Sequence, residues 1–148
     1  MRCARVLILP STVLVFACHS PAEPPSGLSV SASVKPVPSV AGGPLSIEVV
    51  VANTSRGEHF VSGSAGGCIA VVDVHDAAGK AVLDTNPRIC DAASVQHRVA
   101  PSSTIFDRLP FSGLRAGVYH LRARVGVSGY GELESPEYTV TVLAPGAA

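Results

Sequence analysis

The chain has 148 residues, enough for one domain of ordinary size and with no need of a second. Charged residues make up only 15% of it, tryptophan is absent, and glycine and proline number 14 and 12, a composition that favours strands and turns over solvated helices. Eleven basic and eleven acidic residues cancel, and no group of Lys and Arg exceeds Arg115, Arg122 and Arg124, so the basic stripe that neutralises phosphates is missing and nucleic-acid binding is excluded.

The amino terminus has its own pattern. Arg2 and Arg5 stand in MRCAR, and residues 6–17, VLILPSTVLVFA, are an apolar run. As a helix this run reaches about 18 Å, short of a hydrocarbon core of about 30 Å, and Pro10 weakens it. The shape is that of a signal peptide. A buried core helix would need a polar face, and Val13 to Ala17 has none. Val15, Phe16, Ala17 and Cys18 resemble a bacterial lipoprotein signal, in which an aliphatic residue stands three places before an obligate cysteine and a small residue directly precedes it. Phe16 departs from that family, which carries a small or hydroxylated residue there. The resemblance implies removal of residues 1–17, acylation of Cys18 and a membrane anchor in a bacterial cell envelope. His19, which is not acidic, implies an outer-membrane address where a cell has two membranes. Ordinary secretory cleavage beside Ser20, Pro21 and Ala22 is the competing reading. HSPAEPPSG, residues 19–27, holds three prolines and no apolar run, so it buries nothing to offset its ordering entropy. Residues 18–27 are therefore expected to be a lipidated cysteine with its tether. Loss of Arg2 and Arg5 leaves nine basic residues against eleven acidic, a net charge of −2.

From Leu28 the hydropathy alternates with period two, and the domain is expected over residues 28–145. Leu28, Val30, Ala32 and Val34 alternate with Ser29, Ser31, Ser33 and Lys35. Pro36, Pro38 and AGGP at 41–44 end that strand. A second runs over 45–54, LSIEVVVANT, rich in β-branched residues. A third over 69–76 turns through AAGK into a fourth over 80–85. Strands at 94–101 and 103–111 follow, restricted to edges or ends by Pro101 and Pro110. GVYHLRARVGV, 117–127, places Tyr119, Leu121, Ala123, Val125 and Val127 on one face and Val118, His120, Arg122 and Arg124 on the other. A strand over 137–143 closes the chain. Seven to eight short antiparallel strands argue for an all-β, immunoglobulin-like β-sandwich.

GGPLSIEVVVANTS, IAVVDVHDAAGKAV and LRAGVYHLRARV together resemble the immunoglobulin-like domains of the Bacillus intracellular proteinase inhibitor family. In those domains a strand ending in Asn-Thr, a D-x-x-G-K turn and an L-x-x-G-x-Y strand recur. The likeness spans residues 42–143. It implies the same fold and, as an alternative to a binding or structural module, an exported proteinase inhibitor. Export and the cysteine pair depart from the family, and no inhibitory residue carries across.

With Cys3 in the leader and Cys18 acylated, Cys68 and Cys90 remain, and an even remainder in an exported domain suggests one disulfide. A free buried pair is the alternative; neither cysteine has the partners of a zinc site. His19, His59, His75, His97 and His120 lie in separate segments, without a His-x-His or H-E-x-x-H pair. Asp73 and His75 share a strand face, as do His120 and Arg122, so either solvated histidines or a surface ligand cluster would fit. No G-x-S-x-G elbow is present, Ser128 has no base beside it, and SGSAGG at 62–67 lacks the lysine of a phosphate loop. The chain is expected to be no enzyme and to need neither cofactor nor metal. Two loops are left for recognition on a rigid frame, 56–67 with Phe60 and 128–135 with Tyr130 and Glu132. Either Phe60 and Tyr130 anchor an envelope protein or a protease, or Phe60 packs into the core under its loop and Tyr130 caps the hairpin.

Overall fold

The computed structural model describes residues 25–64, 67–83 and 94–147. Eleven strands occur among them: β1 Leu28–Lys35, β2 Ser39–Val40, β3 Leu45–Asn53, β4 His59–Ser64, β5 Val71–Asp76, β6 Ala81–Leu83, β7 Ser94–Val99, β8 Ser103–Phe111, β9 Gly117–Val127, β10 Gly131–Glu134 and β11 Tyr138–Leu143. Eight correspond to the strands read from the sequence. The additions are β2, β4 and β10, which are short or poor in β-branched residues; β2 and β4 pair with strands distant in the chain, and β10 folds back on β9 as a hairpin.

One sheet has three strands in the order β1-β3-β8, antiparallel throughout, with Leu28 opposite Asn53 and Lys35 opposite Ser46. Pro36 and Pro38 have no N–H to offer a ladder. After them the chain crosses to the other sheet, where β2 pairs parallel with β11. The eight-stranded sheet is organised on β9. Along one edge of β9 lie β11, opposite Gly117 to Leu121, and then β10, opposite Arg124 to Val127. Along the other lie β5, opposite Tyr119 to Arg124, and β4, which meets Val127 at Val61. Beyond these, β6 extends β5 and β7 extends β4. Two facing sheets, a first strand that switches between them and a β11-β9-β5-β6 order opposite β1-β3-β8 define an immunoglobulin-like β-sandwich.

Alternation fills the space between the sheets. Ile47, Val49 and Val51 of β3 and Leu121, Ala123 and Val125 of β9 are all at most 1% exposed, and each large side chain so buried contributes about 1.5–3 kcal/mol. Two resembled motifs acquire physical meaning here. Tyr119 of L-x-x-G-x-Y donates its hydroxyl to the Arg115 carbonyl at 3.0 Å, the corner that pins the start of a β9-type strand in immunoglobulin-like folds. Asp76 of D-x-x-G-K accepts the Ala78 and Lys80 amides, both at 2.9 Å, and so closes the β5–β6 turn.

Buried polar groups tie the loops to this frame. Asn53, 1% exposed, donates through Nδ2 to the carbonyls of Gly57, Val99 and Ala100 and accepts the Ser55 amide and hydroxyl on Oδ1. Asp107, inside β8 and 3% exposed, accepts the Ile69 amide at 3.0 Å and the Ala70 amide at 3.3 Å. It thereby fastens the entry to β5 across to the other sheet. At the start of the domain the Gly27 carbonyl accepts the Thr54 amide at 2.7 Å. Gly27 has φ +79°, and a Cβ there would stand 2.8 Å from Ser55 N, so only glycine fits.

Candidate functional site

Of the recognition residues expected in two loops, Tyr130 lies in a turn, and Phe60 and Glu132 lie in strands. Phe60 is in β4, opposite Arg98 of β7, and is 38% exposed. It does not pack beneath a loop, because the segment read as a 56–67 loop forms a strand over 59–64. In that strand Val61 and Ser64 point inward and Phe60 faces out. Gly63 permits this path: a Cβ there would lie 2.7 Å from the Cys68 carbonyl and the His97 ring. Tyr130 occupies the turn between β9 and β10 and packs, partly buried, against the core. Glu132 is in β10 rather than a loop and lies 3.4 Å from Arg124 Nη1. The structure does bring the first two to one end of the sandwich, since the Ser128 amide donates to the Phe60 carbonyl at 2.9 Å. Cys18 and Cys90 lie outside the described residues; Cys68 lies just before β5.

The denser constellation is on the outward face of β5, β9 and β10. Because β5 and β9 are antiparallel, Asp73 stands opposite Arg122 and His75 opposite His120. On the other side of β9, Glu134 stands opposite Arg124 and Glu132 opposite Gly126. Charges therefore alternate in two directions. Arg124 Nε is 3.1 Å from Asp73 Oδ2, while Arg122 reaches Glu134 at 3.6 Å and Glu137 at 3.8 Å. Asp73 in the first place, and Glu132 after it, hold the Arg124 guanidinium above its ordinary pKa. Arg122, Glu134 and Glu137 are about half exposed, so each of their pairs contributes about 0–1 kcal/mol. What the lattice supplies is a fixed arrangement of charge around an open trough of about 640 Å³.

Both histidines line this trough. His75 Nδ1 is 3.1 Å from the Gly79 carbonyl. His120 Nδ1 is 3.2 Å from Glu137 Oε1 and 3.2 Å from the Thr139 hydroxyl. His59 and His97 lie apart from them, against Ser55 and the Ser64 carbonyl. The sequence shows Asp73 with His75, and His120 with Arg122, as two strand faces. Only the β5–β9 register joins them, and residues forty-odd positions apart carry no local signal of that register. Among the described residues, no group of three or more His, Cys, Asp and Glu side chains is arranged to hold a metal ion.

The fold and these surfaces define an immunoglobulin-like sandwich with a charged outer face. No family model matches the chain and no curated protein matches it. Among solved structures it is similar to the CARDB domain of the PF1109 protein from Pyrococcus furiosus, crystallised with di-metal ions, at 13% identity and a TM-score of 0.44, over 80% of this chain and 90% of that one. It is also similar to a Bordetella pertussis protein assigned as ApaA, at 11% identity and a TM-score of 0.42, over 81% of this chain and 97% of that one. Scores of this size carry no argument about what this chain binds or does; its fold class stands on the strand order and the Tyr119 corner.

Proposed function

We propose that the protein is a lipid-anchored envelope protein whose immunoglobulin-like domain is a non-catalytic binding or structural module. The observation that carries this reading is the order of segments ahead of the domain: Arg2 and Arg5, an apolar run to Ala17, Cys18, and a proline-rich stretch to Gly27. Each buried methylene contributes about 0.8 kcal/mol, so one acyl chain holds marginally whereas two or three hold for practical purposes permanently. The tether would suspend the sandwich from the end that carries Gly27, Phe60 and Tyr130, leaving the Asp76–Lys80 turn pointing away from the membrane. Metabolic labelling with a fatty-acid analogue tests the reading. The intact chain takes up label and fractionates with membranes, and Cys18→Ala loses both. Label and membrane fractionation retained by that variant would overturn the anchor.

Within this reading Cys68 and Cys90 close a disulfide. A loop of about 23 residues gives about 3.4 kcal/mol on the chain-entropy formula. Intact mass of the native chain is then two hydrogens below that of the reduced chain.

The second reading is an exported proteinase inhibitor. It rests on the resemblance carried by the D-x-x-G-K and L-x-x-G-x-Y motifs. These motifs serve the fold directly, through Asp76 and Tyr119, and so support an activity less than an architecture. Inhibition requires saturable, stoichiometric loss of protease activity on addition of the purified protein. A binding module instead yields an envelope protein or glycan after in-cell crosslinking from Phe60 and Tyr130.

A further inference from the structure

The pairing of His75 with His120 goes beyond both readings. Directly opposed residues of antiparallel strands point to the same face, with Cβ atoms about 4.5–5.5 Å apart, so the two imidazoles stand side by side over the trough. Their Nδ1 atoms are both engaged. The Gly79 carbonyl next to His75 Nδ1 can only accept, and so can the Glu137 carboxylate next to His120 Nδ1; the Thr139 hydroxyl beside that same Nδ1 can accept too, so all three contacts are met with the proton of each neutral ring on Nδ1. The lone pair of each ring is then on Nε2, and neither Nε2 has a hydrogen-bond partner among the described residues. A carbonyl or carboxylate behind Nδ1 is also the arrangement that orients metal-ligating histidines.

We propose that His75 and His120 are a two-imidazole site for a borderline divalent cation, zinc, with both Nε2 atoms as ligands and water completing the tetrahedron. Imidazole suits zinc, copper and nickel, whereas magnesium and calcium take oxygen ligands. Glu137 and the Gly79 carbonyl are positioning groups: they fix the rings and do not touch the ion. With two protein ligands rather than the four of a structural site, the cation is exchangeable, and the fold does not depend on it.

Calorimetric titration of the full chain in detergent micelles with zinc chloride tests the site, alongside His75→Ala, His120→Ala and the double variant. All of these alter exposed or half-exposed side chains, and their melting temperatures should match the native chain. Each single variant is expected to bind zinc about tenfold more weakly or worse, and the double variant to lose that binding event. Zinc binding by the double variant as tight as that of the native chain would overturn the proposal, as would a native chain that takes up no zinc.

Discussion

The outer faces of the two sheets differ more than their inner faces do. Inward, β3 and β9 present the same alternation of Val, Ile, Leu and Ala. Outward, the three-stranded sheet offers Ser29, Ser31 and Ser33 on β1, while on β8 Phe106 is 65% exposed. Arg108 lies 5.9 Å above the Phe106 ring and pairs with Glu48 at 2.9 Å. The eight-stranded sheet instead carries an arginine and carboxylate lattice around two histidines. The inner faces are interchangeable in kind, so stability is shared between the sheets. The outer faces are not, and the chemistry a ligand would meet is concentrated on one of them.

Substitutions can break this comparison at several depths. The largest effect belongs to the shared interior: Ile47→Ala in the first sheet and Leu121→Ala in the second should each lower unfolding free energy by about 2–5 kcal/mol in urea titrations. A loss below about 1 kcal/mol at either position would place that sheet outside the common core. Next comes the tie between the sheets, Asp107→Ala, which deprives the Ile69 and Ala70 amides of their acceptor and should cost about 1–3 kcal/mol; an unmoved urea midpoint would remove Asp107 from that role. Tyr119→Phe deletes one hydroxyl bond and should cost about 1 kcal/mol, measured the same way. Smallest are the outer faces themselves. Arg124→Gln should stay within about 1 kcal/mol and Phe106→Ser within about 0.5 kcal/mol in thermal melts. A loss beyond about 2 kcal/mol at Arg124 would make the charged lattice a structural element and erase the contrast.

How far the molecule could be read from its sequence follows the range of the interactions involved. Period-two hydropathy is local, so β1, β8 and β9 coincide with the segments read at 28–35, 103–111 and 117–127, and the sandwich class follows from them. β4 carries no local signal: HFVSGS has two serines and a glycine and owes its strand to β7, some thirty-five residues later. Asn53 and Asp107 look like a strand terminus and a surface acid in sequence; only the loops that fold over them turn them into buried pins. The site suffered most. Asp73, His75, His120 and Arg122 each stand out in the sequence, but which of them face one another depends on the β5–β9 register, set by the core residues between them rather than by the polar residues themselves.

One consequence of the β1 ladder concerns load. The chain enters at Gly27, clipped to Thr54, and β11 ends at the opposite end of the sandwich, where the Ala41 amide donates to the Leu143 carbonyl. A pull on residue 18 resisted by a partner at that far end runs parallel to β1. It strains the whole Leu28-to-Lys35 register in shear, with every rung loaded together, instead of unzipping the rungs one at a time.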